Sequence, residues 1–270
     1  MDAKIKSRRE KKRMNGKFSD IVLATDLDGT FLTKDPDARR RNLEAISYFK
    51  ENGGHFTFAT GRSNFNVVGE DYFVTEELLN LPAVVGNGSM LYDYATETAV
   101  WKANTPRALL RELYDELKRL SPSAVLTPKW EEPLGEPDTW RKGDFYKLDI
   151  RMSDGSLDEL MSALSHHFGE RLVFTKSSEE FFDVQAIAYT KALGLRKLCE
   201  LYFERSVTLV VAGDYHNDLA MMKEADLAFC PENAVDEIKT ISRATLCDHN
   251  EGLMADIVAT LERMIDEGEL

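Results

Sequence analysis

Short apolar runs and amphipathic stretches take turns along this chain. Ile21–Thr25 is a continuous apolar run, the pattern of a strand covered on both faces. From Asp37 to Glu51, Leu43, Ile46 and Phe49 fall toward one side of a helix, and Gly53-Gly54 ends it. His55–Ala59 reads as a second strand. A helical stretch is expected beyond Thr60-Gly61-Arg62, leading to a third strand at Ala83–Val85. This strand-helix order predicts a parallel, right-handed α/β sheet.

The middle of the chain has another rhythm. Asn87-Gly88 is a hairpin-type turn, followed by strand-like Met90–Tyr94 and Ala99–Trp101. Pro106 to Leu120 is amphipathic, with Leu109, Leu110, Leu113, Tyr114 and Leu117 on one side. Between Phe145 and Met152, Tyr146, Leu148 and Ile150 alternate with Lys147, Asp149 and Arg151, which predicts an antiparallel strand with one wet face. A helix over Leu157–Phe168 and strands at Leu172–Thr175 and Phe181–Ala186 complete an α+β module of about one hundred residues. The parallel pattern then resumes: a helix from Lys191, a strand at Val207–Ala212, a helix after Asp218, a strand at Leu227–Cys230 and a closing helix over Gly252–Glu267. The expected organisation is a discontinuous core, 19–87 with 188–270, holding an insertion at 88–187.

Composition narrows the class. The chain has 270 residues, 43% hydrophobic and 30% charged, which suits an ordinary globular protein. A formal charge of −13 argues against a general nucleic-acid binder. No apolar run approaches the ~20 residues of a membrane span, so no membrane partner is expected. Residues 1–18 break the acidic trend with eight lysines and arginines and read as a basic, mobile extension without a secretory apolar region. Cys199, Cys230 and Cys247 lack metal-type spacing and suggest reduced thiols in the cytoplasm.

The chemistry collects at strand ends. Asp26-Leu27-Asp28-Gly29-Thr30 leaves the first strand, and Gly213-Asp214-Tyr215-His216-Asn217-Asp218 leaves the strand at 207–212. Carboxylates at the C-terminal edge of an α/β sheet stand where such folds keep their sites. Gathered there, they would repel one another without a cation. With no suitably spaced His or Cys, the cation expected is Mg²⁺, held by Asp26 with Asp214 and Asp218 near it; a plain turn or cap role is the alternative for each aspartate. Thr60-Gly61-Arg62 at another strand end offers a hydroxyl, backbone N–H groups and a cation to a phosphate, though Thr-Gly also serves as a simple cap. Lys191 at a helix start is slightly disfavoured by the helix dipole, which hints that it has another partner, the alternative being a solvated surface lysine.

In order, Asp26-Leu27-Asp28-Gly29-Thr30, Thr60, Lys191 and Gly213-Asp214 with Asn217-Asp218 resemble the four motifs of the haloacid dehalogenase superfamily. Phe58-Ala59-Thr60-Gly61-Arg62, Asn87-Gly88 and Asn233-Ala234 resemble its Cof-type subfamily. Only 34 positions separate Asp26 from Thr60, whereas 131 separate Thr60 from Lys191, so the insertion resembles a C2-type cap. The resemblance implies an α/β, Rossmann-like parallel-sheet core with an inserted α+β cap that closes over the site and sets specificity. It implies a Mg²⁺-dependent phosphatase acting on a small phosphorylated metabolite through an aspartyl-phosphate. Asp26 would be the nucleophile and Asp28 the general acid and base. Thr60, Gly61 and Lys191 would hold the phosphoryl group, and Asp26, Asp28, Asp214 and Asp218 would supply the metal shell. Arg62, Asn87 and Asn217 would touch substrate or orient that shell. Cap aromatics (Trp101, Trp130, Trp140, Phe145, Tyr146) are candidates for stacking or for cap core. A phosphomutase or phosphotransferase on the same scaffold, and a silent metal- and phosphate-binding regulator, are the alternatives. A dinucleotide oxidoreductase is disfavoured, because Gly86-Asn87-Gly88 lacks the third glycine of that fingerprint. A monomer or weak homo-oligomer is expected.

Overall fold

A computed structural model of the chain describes residues 16–64, 67–69, 74–103, 105–128, 147–176, 180–186 and 189–270. In chain order its strands and helices begin with β1 (Ile21–Thr25), α1 (Pro36–Glu51), β2 (His55–Phe58), β3 (Ala83–Val85), β4 (Met90–Asp93) and β5 (Thr98–Lys102). Next come α2 (Arg107–Leu120), β6 (Val125–Pro128), β7 (Leu148–Arg151), α3 (Leu157–Phe168), β8 (Leu172–Lys176) and β9 (Phe181–Ala186). The chain closes with α4 (Lys191–Tyr202), β10 (Thr208–Ala212), α5 (Leu219–Glu224), β11 (Leu227–Cys230), α6 (Asp236–Ile241), β12 (Ala244–Thr245) and α7 (Leu253–Asp266). They form two compact units, residues 1–101 with 190–270, and residues 102–189.

The larger unit is built on a five-stranded sheet of order β12-β11-β10-β1-β2, every pair parallel. Every residue of β1 is buried, as the unbroken apolar run required for a central strand. Val22 and Ala24 face a core shared with Leu195 and Leu198 of α4, Met221 and Met222 of α5 and Ile238 of α6. On the opposite side α1 packs on α7, and Phe58 meets Phe31 edge-on at 4.9 Å. Helix α1 starts where Asp35 accepts the Ala38 N–H at 2.8 Å and Pro36 fits the first turn. Strand β3 extends the parallel edge beside residues 59 and 60, through a bridge from Ala59 to Val84 and a 2.9 Å bond from the Thr60 N–H to the Val84 carbonyl. It also pairs antiparallel with β4 across the Asn87-Gly88 turn, making a second sheet β3-β4-β5.

In the smaller unit four antiparallel strands, in order β6-β7-β9-β8, carry α2 and α3 on one face over Leu113, Leu117, Leu160, Leu164, Leu148, Ile150, Phe182 and Val184.

Four expectations are revised. Among the described residues between 62 and 82 there is no α-helix, only short 3₁₀ structure such as the turn at Glu76–Leu78; β-branched Val67 and Val68 followed by Gly69 disfavour a longer helix. The polar face of β7 is not wet, since Lys147 and Asp149 are buried and Lys147 pairs with Asp183 at 2.7 Å. Trp101, expected in the insertion, packs on the core of the larger unit, as does the strand pair β4-β5 that begins at Met90. The last residues of the basic extension are integral: Phe18 is fully buried against Phe49, and Lys17 pairs with Glu262 and Asp266 at 3.1 and 2.7 Å. Residues 1–15 lie outside the described residues, as do Trp130, Trp140, Phe145 and Tyr146.

Candidate active site

Asp26 is the first residue past β1, fixed by its N–H donating to the Ala212 carbonyl of β10 at 2.9 Å. Because β10 runs parallel and in register with β1, Asp214 emerges beside it. Carboxylate oxygens of Asp26, Asp214 and Asp218 lie within 4.8 Å of one another. The turn after Asp26 needs a glycine: Gly29 has φ +76°, and a Cβ there would sit 2.4 Å from Asp214 Oδ2. The next residue, Thr30, donates its hydroxyl to Asp214 Oδ1 at 2.8 Å.

Lys191 answers the charge of the cluster. It opens α4, where Thr190 caps by accepting the Leu193 N–H at 3.2 Å. It is wholly buried, with its Nζ 2.8 Å from Asp26 Oδ1 and 2.6 Å from Asp218 Oδ1. The partner that its place at a helix start hinted at is a pair of acids. Asp218 spends its other oxygen on the backbone, accepting the N–H groups of Asp214 and Tyr215 at 3.0 and 3.1 Å. With both oxygens engaged by protein donors, Asp218 braces Lys191 and the 214–215 turn.

The charge states follow from burial. Desolvation pushes Asp26 up from 3.8 to about 7, against the pull of Lys191. Asp214 is also raised by burial, which outweighs the Thr30 hydrogen bond. Burial alone would lower Lys191, but the attraction of Asp218 and Asp26 carries it above its ordinary value, so it stays cationic. Three carboxylates share one ammonium, and the donor set is all oxygen. That suits a hard divalent cation, which would return the raised carboxyls to their ionised form.

Thr60 lies beyond β2, on the strand next to β1, with the Ala59 N–H bonded to the Thr25 carbonyl at 2.9 Å. Its hydroxyl accepts the Arg62 N–H at 3.1 Å. The 60–62 loop is tied to the hairpin turn: Asn87 N–H donates to the Thr60 carbonyl at 3.0 Å, and Gly86 N–H to the Arg62 carbonyl at 2.8 Å. A Cβ on Gly61 would be 3.0 Å from Asn87 Oδ1, and Asn217 approaches that same oxygen at 3.5 Å. Gly88 fits so closely on the start of α4 that a Cβ would come within 1.8 Å of the Thr190 carbonyl.

Of the residues anticipated from the sequence, Asp26, Asp214, Asp218 and Lys191 form one cluster, and Thr60, Gly61, Asn87 and Asn217 form the neighbouring loop pair. Asp28 does not bring its carboxyl to the cluster; it is gripped by Arg62 instead, at 2.8 and 2.5 Å. The sequence singled out Asn233 only within the Asn233-Ala234 resemblance and gave it no role. Asn233, three residues past β11, donates to the Gly29 carbonyl at 2.9 Å, and its own oxygen meets His249 Nδ1 at 2.8 Å. Its position just beyond another strand end was the available sign.

Asp26 and Asp214 thus stand at the ends of adjacent parallel strands, with Lys191 of a later helix bridging Asp26 to Asp218, an α/β fold with an acidic site at its sheet edge. Residues 23–128 and 133–257 match the family of haloacid dehalogenase-like hydrolases, and the chain belongs to it. Among relatives, it is 24% identical to the 5-amino-6-(5-phospho-D-ribitylamino)uracil phosphatase YwtE of Bacillus subtilis, over 88% of this chain and 97% of that protein. It is 23% identical to the pyridoxal phosphate phosphatase YbhA of Escherichia coli, over 88% and 97%. Among solved structures, TM0651 from Thermotoga maritima superposes with a TM-score of 0.70 at 23% identity, covering 88% of this chain and 96% of that one. A HAD/COF-like hydrolase from Plasmodium vivax gives 0.70 at 21% identity, covering 95% and 99%.

Proposed function

We propose that the protein is a Mg²⁺-dependent phosphatase that hydrolyses a small phosphomonoester through an aspartyl-phosphate on Asp26. The observation that carries this is Lys191, wholly buried and shared between Asp26 and Asp218. A buried ammonium beside Asp26 favours its ionised form against desolvation, the form that a nucleophile requires. The family membership and the names of the relatives support phosphoryl chemistry.

In the first half-reaction an Asp26 oxygen attacks phosphorus as the bond to the leaving oxygen breaks. Asp28 supplies the proton that the departing alkoxide needs. In the second, Asp28 takes a proton from water, the water oxygen attacks phosphorus, and the Asp26 carboxylate departs, leaving free phosphate. Lys191 and the hydroxyl and backbone N–H groups at Thr60 and Gly61 balance the charge on the phosphoryl oxygens. Asp26 and Asp214 would hold the cation, with Asp218 fixing their turn; bound there, Mg²⁺ supplies charge neutralisation at the transferring group. Arg62 would reach the anionic phosphoryl group, and Asn87 and Asn217 would meet the substrate beyond it. The substrate class is a sugar phosphate or a ring-bearing metabolite phosphate like those in the relatives' names. The three cysteines are free thiols, which supports a reducing, cytoplasmic setting. No described helix is long and apolar enough to cross a membrane.

The test is a panel of phosphomonoesters assayed for phosphate release with Mg²⁺ and with chelator. Asp26→Asn should fall to background while keeping the wild-type fold. Undiminished release by that variant would defeat the assignment of the nucleophile. No release by the wild type from any ester would defeat the enzyme.

A further inference from the structure

The residue expected to handle protons is turned away from the place where they are needed. Asp28 stands two positions after Asp26, yet its side chain is 60% exposed and lies outside the carboxylate cluster. Arg62 holds it there, Nε to Oδ2 at 2.8 Å and Nη2 to Oδ1 at 2.5 Å. Both carboxylate oxygens accept from the fork, which holds the carboxyl outside the Asp26 cluster. The Arg62 side chain is itself mostly covered, at 23% exposure, and springs from the loop that places Thr60.

We propose that Arg62 is a latch: it parks Asp28 in the ligand-free site and releases it only when a phosphoryl group takes over the guanidinium. A planar guanidinium binds phosphate and carboxylate with the same two-pronged geometry, so the two ligands compete for one fork. Arg62 is placed for the exchange. Its backbone N–H donates to the Thr60 hydroxyl at 3.1 Å, and its carbonyl is pinned by Gly86 at 2.8 Å. The loop can therefore stay still while the side chain changes partner. Released, Asp28 has only its own rotamers to search, because Gly29 turns the backbone behind it at φ +76°. Asp28 is then available when a substrate is present and withheld otherwise. Arg62 acts through Asp28 and is a positioning residue. The latch rests on the phosphatase reading for its purpose, though not for its measurement.

The test is a double-mutant cycle read in equilibrium binding of inorganic phosphate, by titration calorimetry in buffered Mg²⁺. Wild type, Asp28→Ala, Arg62→Gln and the double variant are compared. Removing Asp28 frees Arg62, so Asp28→Ala should bind phosphate about five-fold more tightly, the scale of a solvent-accessible ion pair that no longer has to be broken. In the Arg62→Gln background the same change should gain less than about two-fold. Equal tightening in both backgrounds would mean that Asp28 merely repels the anion, and the latch would be wrong. No tightening in either background, or no phosphate binding by any of the four, would overturn it as well. Arg62→Lys replaces Arg62→Gln if the latter fails to fold, since it keeps the charge and loses the fork; coupling should again shrink. Binding is separate from turnover. Coupling without hydrolysis would leave the latch and remove the phosphatase, and hydrolysis without coupling would do the reverse.

Discussion

Replacing Lys191 with methionine isolates the charge at the centre of the site while nearly preserving its volume. Lys191 is fully buried, with its Nζ 2.8 Å from Asp26 and 2.6 Å from Asp218. Without it, two buried carboxylates face each other with oxygens no more than 4.8 Å apart. At that distance and an effective dielectric of about 20, their repulsion is about 3.5 kcal/mol. Breaking a buried ion pair from one side typically costs ~3–5 kcal/mol, in agreement. For a protein of this size the denaturation midpoint should fall by about 7–14 °C at pH 8 in chelator. The cost depends on ionisation. Asp26 is already raised from 3.8 to about 7, so the folded protein holds that proton more tightly than the unfolded chain does. Stability linked to that proton is complete below pH 3.8 and is lost as the pH climbs through about 7. Lys191→Met should therefore lose most of its penalty at pH 5, where the repulsion is neutralised. Thermal melts of both proteins at pH 5 and 8 decide the matter. An equal deficit at the two pH values would assign the cost to packing, and a deficit under ~1 kcal/mol at pH 8 would remove Lys191 from the role of counter-charge.

Two further outcomes follow from the same geometry. Saturating Mg²⁺ should raise the melting temperature far more at pH 8 than at pH 5.5, because protons compete for Asp26 and Asp214, both raised by burial; the gain is about 2.7 kcal/mol at a hundred times Kd and should vanish in Asp214→Asn. A pH-independent gain would place the cation elsewhere. Gly88→Ala should cost ~3 kcal/mol or more and lower kcat/KM, since the new Cβ would strike the Thr190 carbonyl at 1.8 Å from a backbone at φ +91°; a wild-type denaturation midpoint would contradict the close approach.

The scaffold was legible where apolar periodicity is strong and local. The strand at Ile21–Thr25, the helix at Leu157–Phe168 and the strand at Leu227–Cys230 fall at the expected residues. The carboxylates were legible for a different reason: a parallel sheet must deliver its strand ends to one edge, so Asp26 and Asp214 had to meet despite their separation in sequence. Side-chain choices made across the fold were not legible. Nothing local to Asp28 announces that Arg62 competes for it. Alternation marked Lys147 and Asp149 as polar, but only pairing across strands, with Asp183 opposite, shows that such a face is buried. The stretch after Arg62 carried too weak a period to decide between helix and loop, and the Asn233 contact depends on where one carbonyl of a tight turn points.

Strand order also governs how the protein is made. β1 lies between β2, which follows it within about forty residues, and β10, which ends at Ala212. At ordinary elongation rates of ~5–20 residues per second, about ten seconds or more pass before the second neighbour leaves the ribosome. Until then one long edge of this central strand has no partner, whereas the insertion's antiparallel sheet is complete in sequence once β9 ends at Ala186, ahead of Ala212. All strands of the insertion are therefore made before the core sheet can be completed. Asp26 gains Lys191 and the two later aspartates in the same stretch of synthesis that closes that edge, so no nascent chain holds the acids together without their counter-charge.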